Sequence, residues 1–460
     1  MMFDQGGAST KPFPLTALRH PGVSHLLSKQ ADLLADLANG LGSPLHVLLP
    51  EIFEENVRRM RGTVAELGID AGILFAKKAN KADCFVRSSA RLGIGIDVAS
   101  APELAKALAG GIPGERIGIS GPEKDSALHS VALQHGCLVA IDSLSELRRL
   151  SESARGMRKP ARVLLRCRVD AQSRSRFGMA AAERNEAVSL CADAPESVRL
   201  EGFSFHLTGY STQERAHAAN EMIEHCVVAR ARGLAHCRLV DIGGGLPLRY
   251  VDPATWDGFL RQDAPDHYHM GKSFDGFYPY GTERPADLAL RDIMKHPVDA
   301  DETLMSKASR NDIGFLVEPG RALLDQAGFT IFGVQQVDDR RESDGYAIVT
   351  VHGSSFSLSE QWFNSEYLPD PVLIASEPVG NREFHASVAG STCLESDMLT
   401  WRKIGFPRVV EPGDQLVYLN TAGYQMDSNE SPFHEMPIPQ KVVVRLGEEG
   451  NQPKWRLDGI

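Results

Sequence analysis

Residues 71–111, "AGILFAKKANKADCFVRSSARLGIGIDVASAPELAKALAGG", combine two short apolar runs with helix-like segments. The runs "AGILFAKK" and "GIGIDVAS" have the length and composition of buried strands, and "APELAKALAGG" has apolar residues at helical spacing. Strands that alternate with helices in this way are typical of a parallel α/β fold.

The same alternation extends from about residue 45 to residue 325. Its other strand candidates are "LHVLL", "RIGISG", "CLVAID", "ARVLLRCRV", "EGFSFHL", "CRLVDIGGG" and "IGFLVEPG". About eight such units favour a closed (β/α)8 TIM-type barrel. The pattern alone leaves a doubly wound sheet open.

The texture changes near residue 324, after which strand-like runs such as "FTIFGVQQV", "GYAIVTVHG" and "QKVVVRL" follow one another without helices. We therefore predict a barrel over 45–324 and a C-terminal all-β domain over 325–460. Residues 1–44 are predicted to be helical and to pack on the β-domain or the barrel. Residues 249–312 fit neither pattern, and we expect an insertion that forms a lid or a surface loop.

Composition limits the class of protein. The 460 residues are 42% hydrophobic and 24% charged, with a net charge of −11, which argues against nucleic acid or an anionic membrane as the main partner. The seven scattered cysteines lack CxxC spacing, which is typical of reduced thiols and predicts no metal site. Neither a long apolar span nor a signal-peptide core is apparent, so we expect a cytoplasmic protein without a membrane partner.

Polar residues recur where the predicted strands end, and a parallel barrel gathers such residues at one end. They are Lys78, Asp97, Arg166, His206, Gly243, Gly244, Gly245 and Glu318, followed by Gly320 and Arg321. Strand alternation puts Lys78 on the face of Leu74 and small Ala76, which favours Lys78 over Lys77 and Lys81 as the functional lysine. A lysine, a carboxylate, a stacking ring and a glycine-rich phosphate cradle together suit pyridoxal 5'-phosphate.

The ordered motifs "FAKKAN", "GIGIDVASAPEL", "LLRCRVDAQSRSRFGM", "FSFHLTG", "DIGGGLP", "EPGRAL", "GSTCLESDML" and "TAGYQMD" resemble those of the fold-type III pyridoxal-phosphate decarboxylases. That family includes the diaminopimelate, ornithine and arginine decarboxylases, and the resemblance covers residues 45–435. It implies an alanine racemase-like barrel with a β-domain. It also implies an obligate homodimer with shared active sites.

The resemblance also implies residue roles. Lys78 would form the Schiff base with the coenzyme, with Asp97 nearby, and Glu318 would pair with the pyridinium nitrogen. His206 would stack on the ring, and Arg166 would approach the ring hydroxyl. The phosphate would be held by Gly243, Gly244, Gly245, Gly320, Arg321 and Tyr424. Cys393 of the partner subunit would protonate Cα, and Asp397 would line the substrate end of the site.

Two departures from the family pattern bear on the substrate. The position after Cys393 is acidic in the diaminopimelate and ornithine enzymes but is Leu394 here, and Glu395 follows as either a substrate contact or a solvated turn residue. The family motif H-x-G-S is replaced here by "HLTGYS", which has one more residue before Gly209. We therefore expect the phosphate contact of the motif's serine to be made by Thr208 or Ser211. Because an apolar Leu394 offers a distal ammonium no partner, we predict decarboxylation of another α-amino acid or of an amino-acid conjugate.

Two alternative functions remain open on the same scaffold. A racemase or another Cα chemistry is disfavoured by Glu318, because racemases of this fold place an arginine at the pyridine nitrogen. A non-catalytic pyridoxal-phosphate-binding regulatory homologue is disfavoured because Lys78 and Cys393 are both present.

Overall fold

The structure, a computed structural model, describes residues 12–358, 364–374, 384–446 and 453–459. Its strands are β1 (Leu45–Leu48), β2 (Ala71–Ala76), β3 (Gly95–Val98), β4 (Ile117–Ile119), β5 (Leu138–Ile141), β6 (Ala161–Arg166), β7 (Val198–Ser204), β8 (Leu239–Asp241), β9 (Pro297–Asp299), β10 (Glu302–Thr303), β11 (Gly314–Val317), β12 (Gly328–Asp338), β13 (Ala347–Val351), β14 (Val372–Ile374), β15 (Phe384–Ala389), β16 (Met398–Phe406), β17 (Gln415–Leu419), β18 (Gln440–Arg445) and β19 (Lys454–Leu457).

The helices lie mostly between the strands of the first two thirds of the chain. They are α1 (Pro21–Lys29), α2 (Ala31–Leu41), α3 (Pro50–Leu67), α4 (Asp83–Leu92), α5 (Ala101–Ala109), α6 (Ser126–His135), α7 (Leu144–Met157), α8 (Ala181–Asp193), α9 (Thr212–Ala231), α10 (Pro253–Gln262), α11 (Ala286–Lys295) and α12 (Leu304–Arg310).

The chain divides into two compact units. The barrel unit falls within Phe53–Pro247 and Arg284–Leu323. The β unit falls within Met1–Ile52, Leu248–Glu283 and Leu324–Ile460.

The barrel unit contains a closed barrel of eight parallel strands, β2 to β8 and then β11, which pairs with both β8 and β2. The predicted (β/α)8 barrel is therefore confirmed. Leu74 points into the barrel, where a Cβ on Gly95 or on Gly118 would lie only 2.3 or 2.9 Å from its methyl carbons. Its neighbour Phe75 points the other way, with its ring centroid 5.1 Å from that of Phe53 on α3. Large inward side chains over glycines fill the interior.

Three helices of the barrel unit begin at serine caps. Ser100, Ser143 and Ser211 each accept a hydrogen bond from the backbone N–H of a glutamate three residues later, at the starts of α5, α7 and α9. These Ser-x-x-Glu sequences satisfy an otherwise unpaired amide of the first turn. Two of these helices, α5 and α7, begin after only two connecting residues, whereas a longer loop leads from β7 to α9.

The β unit is built on a nine-stranded sheet in the order β16-β15-β13-β12-β1-β18-β19, with β17 pairing to β12 and β14, within the described residues. Long β12 is its centre, because it pairs with β1, β13 and β17. The strand run "LHVLL" is therefore not a barrel strand, contrary to the expectation that the barrel begins at residue 45. All four residues of β1 are buried, and a short buried run carries no periodicity that identifies its sheet.

The stretch 249–312 also differs from the expected lid or surface loop, because it contains α10, α11 and α12. Several of its aromatic residues belong to the core of the β unit. Tyr280, which is 0% exposed, stacks on Tyr250 with ring centroids 5.8 Å apart and meets Trp256 edge-on at 5.8 Å. Between α10 and α11 the backbone is mostly irregular, and burial of the aromatic rings holds it in place.

Within the described ranges, no helix is long and apolar enough to cross a bilayer. The same residues contain no group of three or more His, Cys, Asp or Glu side chains that could hold a metal ion. The cysteines are free thiols; Cys393 is exposed and the other six are buried.

Candidate active site

Lys78 lies just beyond the end of β2. The strand stops at Ala76, and Lys77–Ala79 form a single 3-10 turn. Lys78 Nζ lies 3.8 Å from Asp97 Oδ2, whereas Lys77 is 1% exposed and its Nζ donates a hydrogen bond to the Lys81 carbonyl at 3.1 Å. The 3-10 turn, and not strand alternation, therefore directs the side chains of Lys77 and Lys78 to different surroundings.

Asp97, at the end region of β3, is 2% exposed. Its Oδ2 accepts a hydrogen bond from Ser120 Oγ at 3.1 Å, while its Oδ1 is buried without a hydrogen-bond partner in the described part of the chain. Burial, and then the neighbouring Glu318 carboxylate, raise the pKa of Asp97 to about 8. Asp97 is ion-paired with Lys78 and not with Arg166, whose partner is Asp142.

Glu318 and Asp241 form a pair of carboxyl groups at the ends of adjacent strands, since Asp241 is in register with Leu316 across β8 and β11. Desolvation, and then the charge of Asp241, raise the pKa of Glu318 to about 8. Desolvation also raises the pKa of Asp241 to about 6. Asp241 was not among the residues predicted from the sequence, although it is the first residue of "DIGGG". Its position at a strand end was the available signal.

The glycine turn after β8 is packed from both sides. A Cβ on Gly243 would lie 2.8 Å from His206 Nδ1, and one on Gly244 would lie 2.6 Å from the Glu318 carbonyl oxygen. The Gly243 N–H donates to Asp241 Oδ1 at 2.8 Å. The amides of Gly244 and Gly245 are therefore the better candidates for an anionic ligand.

Arg215 of α9 packs against this glycine turn. It was not among the site residues predicted from the sequence. It is 1% exposed, and its Nη1 donates to the Ile242 carbonyl at 2.8 Å. A Cβ on Gly245 would lie 2.7 Å from Arg215 Nη2. An arginine among alanines on a helix was the only sequence signal. Ser211, a candidate for a phosphate contact, caps the same helix by accepting from Glu214 N–H at 3.2 Å.

Arg166 is held by Asp142 and an aromatic ring. Its Nη1 donates to Asp142 Oδ1 at 3.1 Å, and its guanidinium carbon lies 4.5 Å from the centroid of Phe177. The other oxygen of Asp142 accepts from the Gly178 N–H at 3.2 Å. Asp142 is thus a further positioning residue that the strand-end pattern did not identify.

His206 follows β7, and its side chain is partly in contact with solvent. Desolvation on its protein side, and then the Lys78 cation, lower its pKa, so the ring is neutral near pH 7. Gly320 and Arg321 follow Glu318 and are both buried. Of these three residues, His206 lines the same cavity as Lys78 and Glu318.

Most of these groups line one cavity of about 280 Å³ at the carboxyl ends of the barrel strands. Its lining residues are Lys78, Ala99, Ser120, Gly121, Pro122, Ala140, Arg166, Phe177, Ser204, Phe205, His206, Asp241 and Glu318. A larger cavity of about 330 Å³ lies at the opposite end, lined by strand starts such as Gly72, Gly95 and Ile117. The smaller cavity is the candidate site, because the carboxyl groups with raised pKa converge there and barrel enzymes work at that end.

The β unit carries the other predicted site residues. Cys393, Leu394 and Glu395 form an exposed turn. Asp397 differs from the expected substrate contact: it is 5% exposed and accepts hydrogen bonds at both oxygens, from Ser355 N–H at 2.7 Å and from Thr392 Oγ at 2.7 Å. A carboxylate satisfied in this way holds the turn and has little capacity left for a ligand.

Tyr424, also in the β unit, has a φ of +74°. Residues other than glycine rarely adopt this backbone conformation, and those that do are concentrated at functional sites. Its carbonyl accepts hydrogen bonds from Asp427 N–H at 3.0 Å and Ser428 Oγ at 2.8 Å, which stabilise the conformation.

The raised carboxyl pKa values predict how stability depends on pH. A carboxyl whose pKa rises on folding binds its proton more tightly in the folded state, so the free energy of unfolding decreases as pH rises from about 4.5 to about 8. We expect the melting temperature of the coenzyme-free protein to fall across this window, and Glu318→Gln to flatten the fall. Exposed Glu152→Gln is the control, and an equal slope in wild type and Glu318→Gln would contradict the assignment.

Comparisons with known proteins identify the family of the chain. The family model described as the pyridoxal-binding domain of pyridoxal-dependent decarboxylases matches residues 53–259. The chain is 36% identical over 441 residues to the uncharacterized protein y4yA of Sinorhizobium fredii, covering 95% of each chain. It is 31% identical over 425 residues to diaminopimelate decarboxylase of Zymomonas mobilis, covering 89% of this chain and 90% of that protein.

A third relative is the L-glutamyl-[BtrI acyl-carrier protein] decarboxylase of Niallia circulans, 25% identical over 443 residues, with 91% of this chain and 92% of that protein covered. Among solved structures, diaminopimelate decarboxylase from Helicobacter pylori complexed with L-lysine superposes with a TM-score of 0.71 at 18% identity, over 92% of this chain and 95% of that one. That likeness shows the fold. The resemblance found in the sequence is confirmed: the chain belongs to the fold-type III pyridoxal-phosphate-dependent decarboxylases and is an amino-acid decarboxylase that uses pyridoxal 5'-phosphate.

Proposed function

We propose that the chain decarboxylates an α-amino acid or an amino-acid conjugate in the cavity at the carboxyl ends of the barrel strands, with Lys78 as the amine that carries the coenzyme. The observation that carries this proposal is the position of Lys78 Nζ, 3.8 Å from Asp97 Oδ2, among carboxyl groups whose pKa values are raised. Half-exposed at 45%, the Lys78 side chain is accessible to a ligand.

The residues of this cavity fit pyridoxal phosphate. Asp97 Oδ1 and Ser204 Oγ are buried polar atoms without hydrogen-bond partners among the described residues, which is the mark of a site made for another polar group. A cationic ring nitrogen would stabilise the ionised form of Glu318, which burial and the neighbouring Asp241 otherwise disfavour. The phosphate of the coenzyme would be held by Gly244, Gly245, Gly320 and Arg321, with Gly243 shaping the turn.

When bound, pyridoxal phosphate supplies an electron-withdrawing ring that stabilises negative charge at the substrate Cα. The chain's own groups prepare for this. Glu318 would be ionised when it faces the cationic ring nitrogen and would keep that nitrogen protonated. Neutral His206 provides a flat surface for stacking. Arg166, oriented by Asp142, supplies a fixed cation for the ring hydroxyl.

Protonation of Cα is assigned to Cys393 of the partner subunit. Cys393 is the exposed cysteine, in a turn whose shape Asp397 maintains. The proposal therefore includes a homodimer in which each active site is completed across the interface. It also includes a cytoplasmic location, which fits six free cysteines buried in the fold.

The substrate class follows from the same turn. Leu394 is 44% exposed beside Cys393, so an apolar surface stands where an acidic side chain would bind a distal ammonium. The relative from Niallia circulans acts on L-glutamate attached to an acyl-carrier protein, which supports a conjugated substrate. Glu395, exposed in the same turn, remains a candidate substrate contact.

The decisive experiment measures carbon dioxide release from a panel of amino acids by the full chain loaded with pyridoxal phosphate. The panel should contain L- and D-amino acids, diamino acids and carrier-linked or otherwise conjugated amino acids. Release from at least one member, with conjugates preferred over diamino acids, is the expected result. Exchange of the Cα hydrogen with solvent deuterium while the carboxylate is retained would instead indicate racemase chemistry, and no reaction with any member would contradict the proposal.

Buried Arg215 provides a separate prediction about coenzyme affinity. Because it places a positive charge under Gly245, Arg215→Met should weaken pyridoxal phosphate binding by about tenfold, the usual effect of losing a charge-assisted contact. An absorbance titration measures this affinity. Arg215→Lys should retain most of it, and Arg230→Met, on the same helix, is the control. Equal affinity of wild type and a folded Arg215→Met would show that the charge plays no part.

A further inference from the structure

A thiol and an imidazole meet on the surface of the β unit. Cys393 Sγ lies 3.3 Å from His434 Nε2, although the residues are 41 positions apart in the chain. Both side chains are exposed. Imidazole gains and loses protons near neutral pH, and a cysteine beside it can exchange its proton directly.

The cysteine side of the pair is held by a network of hydrogen bonds. Asp397 binds Thr392, next to Cys393, and also accepts from the Ser355 N–H at 2.7 Å. Ser391 donates through both its N–H and its Oγ to the Gly353 carbonyl, at 2.8 and 2.9 Å. The turn that carries Cys393 is thus fixed to the segment 353–355.

The histidine side is attached to the same segment. Phe356, directly after Ser355, meets Phe433 edge-on with ring centroids 6.4 Å apart, and the rings of Phe433 and His434 lie 4.3 Å apart. His434 has a φ of +58°, which is uncommon outside glycine. Residues 355–356 therefore join the two halves of the pair into one arrangement.

We propose that His434 is a positioning residue that supplies the proton which Cys393 delivers, an inference that rests on the proposed catalytic role of Cys393. As carbon dioxide leaves, the electron pair of the broken Cα–carboxyl bond becomes a new C–H bond with the thiol proton. The resulting thiolate takes a proton from the His434 imidazolium, and the imidazole regains one from water. Each turnover thus consumes one solvent proton for each carbon dioxide released.

The pair can be tested without turnover by alkylating the full-length protein with iodoacetamide at pH 7, with and without pyridoxal phosphate, and locating the modified cysteine by peptide mapping. Burial raises the pKa of Cys137, Cys167 and Cys191, so Cys393 is the cysteine expected to react. His434→Asn suits this test because asparagine tolerates a positive φ. Loss of the imidazole base should slow alkylation roughly tenfold.

His434→Gly gives a second measurement, which a purely structural role of His434 would leave unchanged. Glycine accepts the backbone conformation and leaves room for a free ligand, so imidazole added to the buffer should restore part of the lost alkylation rate. Exposed His236→Asn is the matched control and should react as wild type does. An unchanged rate in folded His434→Asn, or a loss in His434→Gly that imidazole does not reverse, would overturn the pairing.

The outcome is independent of the proposed function. An intact pair by alkylation, together with no carbon dioxide release from any substrate, would remove the decarboxylation proposal and leave the pair standing. Carbon dioxide release by the wild type, together with an alkylation rate that is the same with and without His434, would remove the pairing and leave the decarboxylation proposal standing.

Discussion

Replacing Lys78 by alanine is expected to lower decarboxylase kcat/KM by roughly 10⁴-fold or more, because the chain loses the amine that carries its coenzyme. The same change should abolish the absorbance of the covalently bound coenzyme. Borohydride reduction followed by peptide mapping should find the label on Lys78 in the wild type and nowhere in the variant.

Neighbouring lysines provide the controls for this experiment. Lys81 is exposed, so Lys81→Ala should retain both label and activity. Lys77 donates to the Lys81 carbonyl from a buried position, so Lys77→Ala should cost stability before it costs labelling. A label on Lys77 or Lys81 in the wild type would contradict the assignment of Lys78.

Replacing Cys393 by alanine is expected to reduce kcat by roughly 10² to 10⁴-fold, the range for losing a general acid. KM should change less, because the thiol acts on the reacting carbon and does not hold the substrate. Steady-state kinetics with the best substrate of the panel would measure both constants. Cys393→Ser, which keeps a weaker proton donor, should retain more activity than Cys393→Ala.

Mixing the two inactive variants tests the shared active site directly. After subunit exchange, a dimer with one Lys78→Ala subunit and one Cys393→Ala subunit has one complete site if the thiol comes from across the interface. Random pairing then restores about a quarter of wild-type activity. If each cysteine serves its own subunit, no hybrid has a complete site and the mixture stays inactive.

Much of the fold could be predicted from local patterns. All eight barrel strands coincide with apolar runs seen in the sequence, because strands buried on both faces are almost continuously hydrophobic. β1 was misassigned for the same reason: its four buried residues look like a barrel strand, and pairing with β12 and β18 is a long-range choice. The segment 249–312 was misread for two reasons. The core of tyrosine rings around Tyr280 has no simple periodicity, and the helical spacing of the apolar residues in α11 was overlooked.

The candidate site was predicted in outline. Strand ends in a parallel barrel meet at one end, so Lys78, Asp97 and Glu318 could be grouped without coordinates. Arg215, which reaches the same place from α9, could not be grouped in this way. Asp142 directly follows β5, so the same strand-end signal was available for it and was missed. Asp397 is the opposite case. It was predicted from a family motif to contact the substrate, but both of its carboxylate oxygens accept hydrogen bonds that hold the Cys393 turn.

By itself, the amino-acid sequence determined the alternation of strands and helices, the residue types at the strand ends and hence the family and its coenzyme, because these depend on hydrophobic periodicity and on short local motifs. Only the tertiary structure decided which sheet receives β1, how Asp241 raises the pKa of Glu318, and that His434 stands beside Cys393. These are distances between residues far apart in the chain, and packing and electrostatics act through such distances and not through sequence spacing.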